Sequence, residues 1–282
     1  MNRKIGRVVL AVVALLSIGM LIVHVLVRRQ VDETVFTVSP AVRQPDSVKY
    51  RQLTIGDHRI HAWITMPNTL IKNNTAIVIF HGIGESLSDW INVQKMLAGR
   101  GIVSAVFDYG SPADTISGQS GTSLRPLTDD VQDIIDSVRR LCGNDLHLFL
   151  LGHSVGNAVL LEMYPRLTAP FVKGVILCNA FSSLKKWLLY HHQISPAAAL
   201  LFPDYLDNTD NVRNVAQPML IVHSKADSVN YFEDALEIIR SAEYRHRSIR
   251  FVPTEEKDHN YIYNGRDHAG YWAPILHFID SI

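Results

Sequence analysis

The chain has 282 residues, 47% hydrophobic and 19% charged, a globular composition that excludes disorder as its basic state. Its 27 Lys and Arg offset 27 Asp and Glu, so a formal net charge of zero gives no electrostatic reason to expect a nucleic-acid partner. Only Cys142 and Cys178 are present, with neither zinc-site spacing nor a disulfide framework, and Cys178 reads as a small buried hydrophobe closing an apolar run.

The first predicted element is Val8 to Val27, apolar almost throughout and interrupted mainly by Ser17, Gly19 and His24. It matches the ~20 residues a helix needs to cross a bilayer. A cleaved signal peptide would carry a shorter apolar region, about 7–15 residues, and a small-residue cleavage site. Arg28-Arg29-Gln30 follows instead, so residues 1–30 read as an uncleaved single-pass anchor. Arg3, Lys4, Arg7 and the amino terminus precede the span, against Arg28, Arg29 and Arg43 after it. That slight excess orients the N-terminus inward and the bulk of the chain to the non-cytoplasmic side. Residues 31–47, with Asp32, Glu33, Pro40 and Pro45, read as a linker, and 48–282 as a single folded domain.

Within that domain Ile60, Ala62, Ile64 and Met66 alternate with polar or amphipathic residues, as in an antiparallel strand. The runs Ala76–Phe80, Ile102–Phe107, Leu146–Leu151, Val172–Cys178 and Met219–His223 are apolar without alternation, as in strands covered on both faces. Between them, Thr128 to Leu141 places Val131, Ile134, Ile135, Val138 and Leu141 on one helical stripe, with Gly143 placed to end it. Ser248–Val252 is a further strand, and Trp272, Ile275, Leu276 and Ile279 mark a C-terminal helix. Alternating strands and helices predict an α/β fold with a mostly parallel central sheet flanked by helices. About forty residues separate the strand ending at Cys178 from the one starting at Met219, more than a simple connection needs. Residues 180–217 therefore read as a small helical cap carrying Trp187, Leu188, Leu189, Leu200, Leu201, Phe202 and Tyr205.

Ligands in such sheets bind beyond the carboxyl ends of the strands, and there the chain places Gly152-His153-Ser154-Val155-Gly156. A G-x-S-x-G turn between strand and helix exposes its serine, and its glycines remove side chains that would strike the neighbouring backbone. A serine nucleophile needs a base, and the base a carboxylate, in the order Ser, Asp or Glu, His. Asp227 lies in the loop after Met219–His223, ahead of Asp204 and Asp234 as the acid; His259 lies in the loop after Ser248–Val252, ahead of His268 as the base. An oxyanion would need two backbone N–H donors. Val155, just after the serine, supplies one, and Ile83 in His81-Gly82-Ile83-Gly84-Glu85 is the choice for the other, with His81 bracing that loop.

The motifs FHGIGES, VFDYGSPADTISGQSG, LGHSVGNAVLLE, CNAFSSL, PMLIVHSKAD and DHN span about residues 48 to 282. They resemble the α/β-hydrolase superfamily, particularly its membrane-anchored serine-hydrolase branch. The arginine-glycine continuation common after Phe107-Asp108-Tyr109 and a glycine common after His223 are both missing, and neither is a catalytic group. The resemblance implies hydrolysis of acylglycerols, other carboxylic esters or acyl thioesters through Ser154, Asp227 and His259, with no metal or organic cofactor. It implies a small-molecule or lipid-like acyl substrate and a membrane contact through the N-terminal helix. A peptidase or amidase on the same scaffold, and a catalytically silent, membrane-tethered binding protein, remain as alternative readings.

Overall fold

A computed structural model describes residues 3–35, 50–55, 60–67, 74–109, 124–243, 248–255, 258–265 and 268–282. Among them, eight strands form one sheet: β1 (Tyr50–Ile55), β2 (Ile60–Thr65), β3 (Thr75–Phe80), β4 (Val103–Phe107), β5 (His147–His153), β6 (Val172–Cys178), β7 (Met219–Ser224) and β8 (Ile249–Thr254). Their spatial order is β1-β2-β4-β3-β5-β6-β7-β8. β2 runs antiparallel to both β1 and β4, and every pairing from β4 to β8 is parallel. The alternation through Ile60–Met66 thus belongs to the antiparallel end, and the unbroken apolar runs to the centre, where both faces are covered.

Side-chain alternation divides the core into two layers. Ile77, Ile79, Phe149, Leu151 and Ile176 face one way, against Val93 and Leu97 of α2 (Ile91–Gly99) and Trp272 and Ile275 of the C-terminal helix His268–Asp280. Ala76, Val78, Phe80, Leu148 and Leu150 face the other way, against Val131, Ile134 and Val138 of α3 (Leu124–Cys142) and the helix Val155–Met163, α4. α3 begins a turn before the expected Thr128, because Pro126, which lacks an N–H, is tolerated in the first turn of a helix. It stops where Gly143 adopts φ +91° and its N–H bonds to the Arg139 carbonyl at 2.8 Å. Both cysteines are buried free thiols, and burial pushes the Cys178 thiol well up.

From β3 the chain passes through α2 to β4 on one side, then crosses back through α3 to β5 on the other. The strand order reverses between β3 and β5, and a crevice opens at their carboxyl ends. Over it lies the segment expected as a cap, built of α5 (Leu184–Tyr190) and two single helical turns, Pro196–Ala199 and Asn208–Asn211.

The N-terminal helix, α1, spans Arg3–Val35, about 50 Å at 1.5 Å per residue. Residues 7–35 are long and apolar enough to cross a membrane, and Leu10, Leu15, Leu16 and Leu21 are exposed. Helix continues through 31–35, where a linker was expected; Val31 packs against the second core layer and Val35 is buried in it, so this stretch gains more by packing than by unwinding. Residues 36–47 of the expected linker lie outside the described residues.

Candidate active site

Ser154 joins β5 to α4 with φ +52° and ψ −123°, a backbone conformation that costs a non-glycine residue about 1–3 kcal/mol. Its surroundings hold it there. A Cβ on Gly156 would lie 2.0 Å from the Phe80 carbonyl oxygen, and one on Gly152 2.6 Å from Asn157 Cα, so both glycines are demanded by close approach. Asn157 pins the turn from inside α4: its Nδ2 donates to the carbonyls of Ser154 at 2.9 Å and Cys178 at 2.8 Å, while its Oδ1 accepts from Cys178 N–H at 3.2 Å. The sequence signal for this brace is one polar residue in the otherwise apolar run VGNAVLL.

The loop after β3 reaches the same point. Gly82 lies so close to the serine that a Cβ on it would stand 3.2 Å from Ser154 Cβ. His81 is stacked on Tyr109 at 4.3 Å between ring centroids, and the Tyr109 hydroxyl donates to the His81 carbonyl at 2.6 Å, which holds the loop down. Burial lowers the His81 pKa and so favours its neutral ring. Val155 is the first residue of α4 and carries an N–H that an α-helix leaves without an internal partner. Ile83, Ser154 and Val155 border one cavity of about 760 Å³.

Across the sheet end, His259 Nδ1 bonds Asp227 Oδ2 at 2.6 Å. The other Asp227 oxygen accepts the N–H groups of Val229 at 2.8 Å and Asn230 at 3.0 Å. Burial disfavours the Asp227 charge, but the His259 bond and these two amides outweigh it and hold the carboxyl below the usual carboxylate range. Of the other acids considered, Asp234 accepts from Ser182 N–H at 3.0 Å and Asp204 pairs with Lys185 at 2.9 Å. The His268 side chain lies outside the described residues. His259 Nε2 is buried and has no hydrogen-bond partner among the described residues.

What holds the His259 loop is not apparent in the sequence. The His259 carbonyl accepts from Asn179 Nδ2 at 2.8 Å and from His153 Nε2 at 3.1 Å. Asn179 also ties the acid loop, accepting from Ser224 N–H at 3.2 Å and from Asn230 Nδ2 at 2.6 Å. His153, next to Ser154, bonds Glu85 Oε1 through Nδ1 at 2.7 Å, and Glu85 Oε2 accepts from Trp90 Nε1 at 2.9 Å. Both His153 and Glu85 are buried. Burial opposes both charges, yet their pairing prevails, raising the His153 pKa and lowering that of Glu85.

Because Glu85 is depressed, its share of stability is present above its ordinary pKa of 4.5 and lost as pH falls through its folded value. Because His153 is raised, its share is complete below 6.5 and lost as pH rises through its folded value. Glu85→Gln removes the charge that most raises the His153 pKa, leaving burial opposed only by the His259 carbonyl and the Asp227 charge, so the folded state holds less tightly a proton that the unfolded chain binds below 6.5. The expected loss is about 3–5 kcal/mol, as for other broken buried pairs. Measured by urea unfolding, it should be larger near pH 5 than near pH 8; equal losses would mean that His153 is neutral in the folded protein.

The family described as Serine aminopeptidase, S33, matches residues 71–210. Over 249 residues the chain is 25% identical to the lysophosphatidylserine lipase ABHD12 of Mus musculus, covering 73% of this chain and 61% of that one. Over 176 residues it is 28% identical to the uncharacterized protein YfhR of Escherichia coli (strain K12), covering 61% of this chain and 60% of YfhR. The chain thus spans about three fifths of the length of each. Among solved structures, a thermostable carboxyl esterase from Bacillus coagulans in complex with glycerol superposes with a TM-score of 0.64 at 16% identity, covering 84% of this chain and 99% of the esterase. By its sheet order, its serine turn and these likenesses, the chain belongs to the α/β-hydrolase superfamily.

Proposed function

We propose that this protein is a membrane-anchored serine hydrolase that cleaves a carboxylic ester or acyl thioester of lipid-like character. The observation that carries the reading is the His259 ring: Nδ1 is fixed on Asp227, Nε2 is buried without a partner among the described residues, and the carbonyl of the same residue is tied to His153, the neighbour of Ser154. A buried nitrogen left unpaired in a native fold calls for an explanation, and a catalytic base awaiting its proton is one.

In this mechanism Ser154 Oγ attacks the acyl carbon and its proton passes to His259 Nε2, while Asp227 orients and stabilises the imidazolium. The carbonyl oxygen becomes an oxyanion facing the N–H groups of Val155 and Ile83. His259 returns the proton to the leaving alkoxide or thiolate, which leaves an acyl group on Ser154. Water then attacks that carbonyl, giving a proton to His259; the acid departs and Ser154 recovers its proton.

Lipid-like character is supported by the walls of the cavity, where Phe181, Leu184, Trp187, Leu188, Ile194 and Phe202 come from the cap segment and its approach. Its size falls within the 300–1,000 Å³ typical of ligand pockets. The apolar helix α1, taken as an anchor, would hold the site beside a lipid supply, and the name of the ABHD12 relative points the same way. The description of the matching S33 family favours a peptidase as the second reading.

A fluorophosphonate probe is expected to label the protein covalently, and Ser154→Ala to abolish labelling; labelling that persists in the alanine variant would discard the assignment. Absence of labelling in the wild type would instead favour a silent tethered protein. His259→Ala is expected to lower kcat by several orders of magnitude, since unassisted serine is a poor nucleophile at neutral pH. His268→Ala is expected to cost far less, and the opposite ranking in two folded variants would exchange their roles. With p-nitrophenyl esters, kcat/KM is expected to rise from acetate to octanoate; a profile that peaks at acetate, or faster turnover of aminoacyl amides, would favour a small-ester enzyme or a peptidase.

A further inference from the structure

The cavity that borders Ser154 is not closed by the catalytic domain alone. Val23, Val27, Gln30, Val31, Thr34 and Val35 of α1 line it too, opposite the cap. Positions 23, 27, 30, 31, 34 and 35 recur with the period of a helix, which places all six on one broad face. Leu26, on another face, is 59% exposed, whereas Val35 is buried.

Polar contacts fix this face in register. The Tyr205 hydroxyl, from the cap segment, donates to the Asp32 carboxylate. One turn earlier, the Arg28 guanidinium lies over the Tyr205 ring at 4.3 Å and 3.8 Å from the Glu162 carboxylate of α4. Arg28 and Asp32 thus grip the cap and the helix behind the serine while Val27 and Val31, each one position before them, face the cavity. Val23 and Val27 also belong to the apolar stretch that ends at Arg28 and Arg29, residues suited to a membrane interface. The cavity therefore begins at the depth where the apolar span ends.

We propose that the C-terminal third of α1 is a wall of the acyl pocket, and that Val27 and Val31 on it determine which acyl chains the enzyme accepts. The occupant is the acyl chain of a lipid ester, entering along α1 from the bilayer, so the helix acts as both tether and part of the binding site. This rests on the reading of the cavity as an acyl pocket given above.

The test uses the full-length protein in phosphatidylcholine nanodiscs. Val27→Trp and Val31→Trp fill the cavity from the helix side, and each is expected to lower the octanoate-to-butyrate ratio of kcat/KM at least about tenfold, the scale on which apolar pockets discriminate by methylene groups. Leu26→Trp, on the outward face, is expected to keep the wild-type ratio. In parallel, the wild-type protein is labelled at Ser154 with a long-chain alkyl fluorophosphonate bearing a terminal diazirine, then irradiated and digested; adducts are expected in the peptide containing residues 23–35. Ratios unchanged in both tryptophan variants, or adducts confined to the cap, would overturn the wall while leaving the acyl pocket standing. A wild-type profile that peaks at acetate would remove the acyl pocket itself, and this proposal with it.

Discussion

The site depends on one backbone conformation, the positive φ of Ser154. Nothing in a serine favours it, so neighbours must supply the 1–3 kcal/mol it costs. The price is met by geometry on both sides of the turn: Gly156 lies against the Phe80 carbonyl, Gly152 against Asn157, and the Asn157 amide bridges the turn to β6. These contacts require β3 and β5 to be adjacent, and they are, because the strand order reverses there. The serine turn is thus a consequence of sheet topology, and Gly82 of the loop after β3 comes to lie beside the same residue.

A second constraint governs the histidine. His259 lies in the connection between β8 and the single helical turn Tyr261–Asn264, so its position is carried by contacts rather than by a long element. Three independent ties converge on it: Asp227 on the ring, and Asn179 and His153 on the carbonyl. The His153 tie is the costly one, because a carbonyl adjoining a buried imidazolium requires Glu85 to offset the charge, and Glu85 in turn requires Trp90. Glu85 lies on the Ile83 loop. One buried ion pair therefore couples the expected oxyanion loop to the expected base, so that displacement of either would be felt by the other.

The elements legible in the sequence are those whose signal is local. The central strands read as apolar runs because both faces are covered, and Ser154 read as a nucleophile because its glycines answer steric demands within five residues. Asp227 and His259 could be placed at strand ends by chain order, and the structure brings those two together at 2.6 Å. Contacts between residues far apart in sequence carried no such signal. Glu85 and His153 are 68 positions apart, and Asn179 and His259 80 positions apart; each alone reads as a turn or surface residue until the fold buries it. The same holds for residues 31–35, whose charges Asp32 and Glu33 suggested a linker. Asp32 is instead engaged by Tyr205, 173 residues away, which makes a helix out of what the local composition marked as a connector.

That misreading bears on how an anchored hydrolase can be built. A flexible linker would leave the catalytic domain free to turn relative to the bilayer, and the site would face lipid only part of the time. On the anchored reading proposed above, a helix held at Arg28 and Asp32 would fix the orientation with no ordering entropy lost each time substrate is met. It also exacts a constraint on sequence, because residues on one face of the helix must satisfy the cavity while those on the other must satisfy whatever surrounds the span. Valine serves the inner face well, being apolar, stiff at χ1 and small enough to leave room. The larger Leu10, Leu15, Leu16, Leu21 and Leu26 all occur where α1 is exposed, and none of them lines the cavity. Valine itself occurs on both faces, Val8, Val12 and Val25 being exposed as well, so what sets the cavity face apart is the absence of leucine, as the proposed acyl wall needs.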